Sequence, residues 1–367
     1  MWPKWLKKTF LRTRQSPINV IIVGIDTATA GNKSGTATID LVSDGDGVNS
    51  LGQTDLDSQV VDVSGNVFRL AEAGAHSPEP VVIADSHVGD TAEQVLSMTN
   101  TAADDGFSES LNAIIGGDTG DVSSSGSFNL LAAQATDDTS LVVAIDTSSA
   151  GAKSGTATIS SESDGTGTSD ILPNVALDDQ IVNVSGNVYR LAEASAHTPE
   201  PVALANVRVG DTSEQALTIG NTAAADGFSE ALNAVLGVTT GDATGAGAIN
   251  QLAAGGSDNS SLVVGVDTSS AGAKSGTVAL DLESDGDGIN SLGQTALTGQ
   301  TVNVSGDVYR LAEAGAHSPE PVVFADSHVG DTVQQALSMT NTAAADGFSE
   351  SLNAIIGGDT GDVSSSG

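Results

Sequence analysis

The chain has 367 residues, no cysteine, 12 basic against 47 acidic side chains, and a net charge of −35. The lack of cysteine excludes disulfides and thiolate metal sites, and the negative charge disfavours nucleic acid and anionic membranes as partners. No apolar run approaches the roughly 18–20 residues of a membrane-spanning helix.

Residues 1–20, MWPKWLKKTFLRTRQSPINV, hold five of the basic residues and precede the first acid, Asp26. They lack the apolar core of about 7–15 residues that a secretory signal requires. Pro3 and the shortness of the segment argue against a helix lying on a membrane. They read as a basic, non-repeat leader, foreign or mis-started.

The remainder repeats. Arg69 to Pro80 (RLAEAGAHSPEP) returns from Arg190 (RLAEASAHTPEP) and from Arg310 (RLAEAGAHSPEP), 121 and 120 residues apart. Such a period is too long for a solenoid unit of roughly 20–50 residues and suits one small domain per repeat. The expected organisation is a C-terminal half repeat at 21–73, complete repeats at 74–194 and 195–314, and an N-terminal half repeat at 315–367. The segment His317 to Gly367 differs from His76 to Gly126 at five positions: Phe324, Val333, Gln334, Ala336 and Ala345.

Within the first complete repeat, Pro80–Val88, Gln94–Thr99, Ser108–Ile115, Ser127–Leu131, Leu141–Ile145, Thr156–Ser160 and Ile181–Val184 read as strands. Gly89-Asp90, Asp105-Gly106 and Asp164-Gly165 supply turns between them. About seven short strands at this spacing predict a β-sandwich. No stretch holds a 3.6-residue apolar period for three turns. Two aromatic positions recur, Phe107/Phe228/Phe348 and Phe68/Tyr189/Tyr309, and are expected to anchor the core. The Pro-Glu-Pro junctions are expected to form short semi-rigid spacers, which favours an extended array.

Several linked motifs carry a family resemblance: Asn206-Val-Arg-Val-Gly-Asp-Thr, Leu217 to Glu230 (LTIGNTAAADGFSE), Ser284-Asp-Gly-Asp-Gly and Val302-Asn-Val-Ser-Gly-Asp-Val-Tyr. After residue 20 the chain resembles the repeats of bacterial choice-of-anchor D surface proteins. That resemblance implies an all-β fold of tandem immunoglobulin-like, hydin-type sandwiches in an exported protein at the cell surface. It implies no defined activity. No signal peptide or sorting anchor is visible in this sequence.

The acidic turns are the main candidate site. Asp44 and Asp46, and Asp285 and Asp287, occupy Ser-Asp-Gly-Asp-Gly turns, whereas the middle repeat has Thr166 in place of the second Asp. Calcium takes six to eight oxygen ligands. The spacing departs from an EF-hand: Val48 and Asn49 stand where an acid or amide and a glycine belong. The turns therefore read first as Gly-rich hairpins and second as calcium sites; a junction site using Glu72 and Glu79 is a further calcium reading. His76, His197 and His317 share one repeat position. His87 and His328 share another, which Arg208 fills in the second complete repeat. All five histidines are expected to be exposed strand or linker residues. No nucleophile elbow, phosphate loop or dinucleotide fingerprint is present.

The expected function is a non-enzymatic structural or adhesion array, acting as spacer or binding stalk for a protein or carbohydrate ligand at the surface. A calcium-dependent binding module is the alternative. A third expectation comes from the ends. The tail stops at Gly367, equivalent to Gly126, and the head resumes at Ile21, equivalent to Leu141; strand addition would then join copies head to tail.

Overall fold

The computed structural model describes residues 20–171 and 173–367, so nearly all of the basic leader lies outside the described residues. The described residues form strands, turns and bends with no helix, and hence no helix that could cross a membrane. Twelve strands precede Arg190: β1 (Gly31–Asp44), β2 (Gln53–Val67), β3 (Val81–Val82), β4 (Ser86–His87), β5 (Glu93–Thr99), β6 (Ser110–Gly116), β7 (Val122–Ser125), β8 (Ser127–Leu131), β9 (Thr136–Ile145), β10 (Gly151–Asp164), β11 (Val175–Ala176) and β12 (Gln180–Tyr189). Twelve more follow: β13 (Val202–Ala203), β14 (Val207–Arg208), β15 (Glu214–Ala216), β16 (Ile219–Gly220), β17 (Ala231–Gly241), β18 (Ala243–Ala246), β19 (Ala248–Leu252), β20 (Ser257–Asp258), β21 (Val263–Val266), β22 (Gly272–Asp285), β23 (Gln294–Ala296) and β24 (Gln300–Tyr309).

The chain divides into two compact units. The first takes in residues up to Ile83, Thr91–Asp146 and Lys153–Gly186; the second takes in Ala84–Asp90, Thr147–Ala152 and everything from Asn187. In the first unit β1 and β2 form an antiparallel hairpin with a bulge between Ile39 and Leu41. The same unit also holds one sheet running β3-β12-β10-β6-β8 and a second running β5-β9-β7. The second unit repeats the plan, with β13-β24-β22-β17-β19 facing β15-β21-β18. Each is an immunoglobulin-like β-sandwich.

The strands form because alternate residues are apolar. β22 buries Val278, Leu280 and Leu282 and turns Ala279, Asp281 and Glu283 the other way, the period of two that a half-buried strand requires. These side chains join Leu232 and Leu236 of β17, Val302 and Val304 of β24, and Val264 and Val266 of β21 in one aliphatic core. Of the recurrent aromatics, Tyr189 is buried, 7 % exposed. Phe107 and Phe228 are only half-buried and stack at a tilt on Phe68 and Tyr189, with centroids 5.6 and 5.7 Å apart. Phe128 of β8 is buried as well, and branched aliphatics make up most of the rest of the core.

The Arg69–Pro80 stretch is not a free spacer. Arg69 bridges Ser108, Ala73 bridges Asn100 and Ser77 bridges Ser97. The Arg69 guanidinium donates to Asp105 at 2.7 Å and to Ser108 at 2.8 Å. His76 and His197 are buried, contrary to the exposed reading, while His317 and His328 are exposed. His76 Nδ1 lies 2.9 Å from Gln180 Oε1 and Nε2 lies 2.8 Å from Glu79 Oε2. His197 repeats this with Gln300 and Glu200 at 2.7 and 2.8 Å. Burial pushes the Glu79 carboxyl up, but bonds from Asn183 and His76 outweigh it and hold the group below the usual range.

One side chain ties these segments together. Asn221, 1 % exposed, accepts from Glu193 N and Ala223 N at 3.1 and 3.2 Å and donates to Glu230 O and Leu252 O at 3.0 and 3.1 Å. Asn100 makes the same four bonds in the first unit. Asn221→Ala leaves four backbone groups without these partners. It is expected to cost about 3 kcal/mol or more of unfolding free energy, read by urea denaturation of the full chain. A loss below about 1 kcal/mol, the net worth of one ordinary hydrogen bond, would refute this role.

Candidate functional site

The acidic turn of the second unit follows β22. Gly286 N donates to Gly293 O at 2.9 Å, and Ile289 N and Asn290 N donate to Gly286 O at 2.9 and 2.8 Å. The first aspartate is the acceptor of the turn. Asp285 Oδ1 takes Asp287 N at 3.0 Å, and Oδ2 takes Asn233 Nδ2 at 2.7 Å and Gln294 Nε2 at 3.1 Å. These donors, the Asp287 amide first, hold the Asp285 carboxyl below the usual range. Asp287 itself is exposed. In the first unit Asp44 accepts from Asp46 N at 2.9 Å and from Gln53 Nε2 at 3.2 Å. Asp164 plays the same part with Thr166 at the second position, accepting Thr166 N and Asn112 Nδ2 at 2.9 Å each. The Thr166 amide leads the donors that bring its carboxyl down to about 2.

The turn thus forms whether aspartate or threonine follows, because the first acid accepts the backbone amide of that residue in either case. The structure brings Asp285 next to Asp287 and Asp44 next to Asp46, as the sequence implies, and gives Asp285 and Asp44 amide donors as partners. Among the described residues no group of three or more His, Asp or Glu side chains is arranged to hold a metal ion.

The sequence reading missed the group beneath the turn. Glu230 ends the Asp-Gly-Phe-Ser-Glu motif and is 0 % exposed. Its Oε2 accepts Ser284 Oγ at 2.6 Å, and its Oε1 accepts Asn290 Nδ2 at 2.9 Å and lies 2.8 Å from His87 Nε2. Ser284 Oγ in turn accepts Ala192 N at 2.7 Å. Close by, Ser291 N and Oγ donate to Asp85 Oδ2, both at 3.2 Å. Asp85 and His87 therefore close over the acidic turn from the 84–90 segment of the same unit.

The arrangement recurs with a different base. Arg208 Nε and Nη2 donate to Glu350 at 2.7 and 3.2 Å. Glu109, the third member of the series, accepts Ser163 Oγ at 2.7 Å and Ser169 Oγ at 2.5 Å. The signal in the sequence was the exchange of one base for another at a repeat position, His87 for Arg208. Such an exchange points to an acidic partner rather than to a linker. Chemically the cluster offers a desolvated carboxylate that binds one cationic or N–H-bearing side chain; it holds no nucleophile–base pair.

No family model and no curated protein matches the chain. Among solved structures, a protein of unknown function from Porphyromonas gingivalis W83 is 14% identical with a TM-score of 0.24, covering 64% of this chain and 98% of that one. Drosophila N-cadherin EC1-4 is 10% identical at 0.22, covering 75% and 58%. The Yersinia pseudotuberculosis adhesin InvE is 12% identical at 0.19, covering 63% and 57%. Likenesses at this distance carry no argument about the chain.

Two outcomes are expected. With Asp285 already supplied by amide donors, the melting temperature should be equal in millimolar calcium and in chelator; a rise with calcium would establish the turns as ion sites. For Asp164, the folded carboxyl ionises at lower pH than the unfolded one. Its contribution is therefore present above the unfolded value of about 3.9 and disappears as pH falls toward about 2. Asp164→Asn should melt lower at pH 7 and lose less than the parent between pH 4 and pH 2. Parallel acid limbs in the two melting curves would contradict this.

Proposed function

We propose that the chain is a non-enzymatic repeat array of an exported bacterial protein, working as a spacer or binding stalk at the cell surface. The observation that carries this reading is the repetition of the polar framework. Arg69, Arg190 and Arg310 hold Asp105, Asp226 and Asp346 at 2.7 Å. Asn100 and Asn221 tie backbone at equivalent positions, and His76 and His197 each engage a glutamate and a glutamine. In each case the ionisable or amide group is spent on holding backbone or a neighbouring side chain. The resemblance to choice-of-anchor D repeats supports export and a surface location. The ligand class that suits such an array is a protein or a carbohydrate met by sheet faces or loops.

An array that spaces should be extended in solution. Small-angle scattering of the chain is expected to give a radius of gyration well above the ~21 Å of a compact globule of 367 residues. A value near that of the globule would overturn the spacer reading.

A further inference from the structure

The two base–glutamate contacts differ in burial, Glu230 being fully buried and Glu350 partly exposed, and in the chemistry of the base. Arginine keeps its charge at every accessible pH. Imidazole changes charge between about pH 5 and pH 8. Arg208 on Glu350 is thus a permanent ion pair. His87 on Glu230 is an ion pair only when the ring is protonated.

The surroundings of the His87 contact are acidic. His87 N donates to Asp90 Oδ2 at 2.9 Å, and Nδ1 lies 3.9 Å from the same oxygen. Asp85, on the same stretch, accepts from Ser291. The base of β17 contributes Glu230, and the turn after β22 contributes Asp285, which is bonded to Asn233 and Gln294, and the exposed Asp287. Tyr189 of β12 stands opposite His87 in register. The neighbouring Arg190 gives its guanidinium to Asp226 and Ser229. The His87 ring therefore sits between two carboxylates, one of them fully desolvated. A charged donor holds a carboxylate about twice as strongly as a neutral one.

We propose that the His87–Glu230 contact is a proton-operated clasp, closing residues 84–90 onto the Ser284–Gln294 turn more tightly in mild acid, while the Arg208–Glu350 contact is its pH-independent counterpart. The clasp stands apart from the stalk reading: a compact globule by scattering would leave it untouched, and its failure would leave the array intact.

The test is amide hydrogen exchange of the full chain at pH 5.5 and pH 8.0, corrected for the intrinsic rates. The peptides to follow cover residues 84–90 and 288–294. The parent chain is expected to be roughly five- to tenfold more protected there at pH 5.5 than at pH 8.0. His87→Arg should abolish the pH dependence and stay protected. His87→Gln should abolish it and stay open. Arg208 is exposed, so Arg208→His leaves the fold undisturbed and provides the mirror variant: it should introduce pH dependence into peptides around Glu350. Equal pH profiles for the parent and His87→Arg, or a flat profile for Arg208→His, would overturn the proposal.

Discussion

The sandwich depends on a buried amide. Asn100 and Asn221 each bond four backbone groups from four segments: the incoming chain, the loop after the asparagine, the residue before the long central strand, and the end of an edge strand. Backbone N–H and C=O groups cannot be left dry and unpaired. Where segments converge without a common ladder, something must stand in for the ladder. A primary amide, with two donors and a two-lone-pair acceptor, is the side chain whose inventory matches that demand. The Arg–Asp pair at the same end and the Glu230 cluster beyond it are then second layers around a knot already tied.

The same economy explains how so acidic a chain folds. Asp44, Asp164 and Asp285 take backbone amides in their turns, and Asp105, Asp226 and Asp346 take a guanidinium and an amide. A carboxylate that accepts such donors is stabilised in its charged form. Charges that remain on the surface repel one another. The lysine of the second complete repeat shows the complementary solution. Lys274, 7 % exposed, lays its stem across the sheet and brings Nζ to Ser270 Oγ at 3.0 Å and Asp242 at 3.4 Å.

Much of the fold was legible. Ser127–Leu131 has its expected bounds and β5 is one residue longer than expected; β9, β10 and β12 stand where expected, because their apolar residues alternate or run together, but extend to 10, 14 and 10 residues, two to three times the expected lengths. Val122–Ser125 was missed. Its Val-Ser-Ser-Ser has one apolar residue, and it is a strand only because it pairs with β9. The polar site was less legible for the same physical reason. His76 and Glu79 look like a polar linker until Gln180 and Asn183, over a hundred residues away, supply their partners. Glu230 stands in the sequence only as the end of the Asp-Gly-Phe-Ser-Glu motif, and what fixes its role comes from Ser284, Asn290 and His87. Periodicity reports which face is buried; it says nothing about which polar groups meet inside.

The first and last strands of each complete sandwich run side by side in the same direction. β3 pairs with β12, and β13 with β24, both parallel, and Ile83 N donates to Ser185 O at 2.8 Å. β12 then passes straight into Arg190 and the junction that leads to the next repeat. A pull on the two ends of one sandwich therefore drags these neighbours past each other along their length. Their slanted hydrogen bonds must yield together and cannot peel apart singly, as those of an antiparallel hairpin loaded at its open end would.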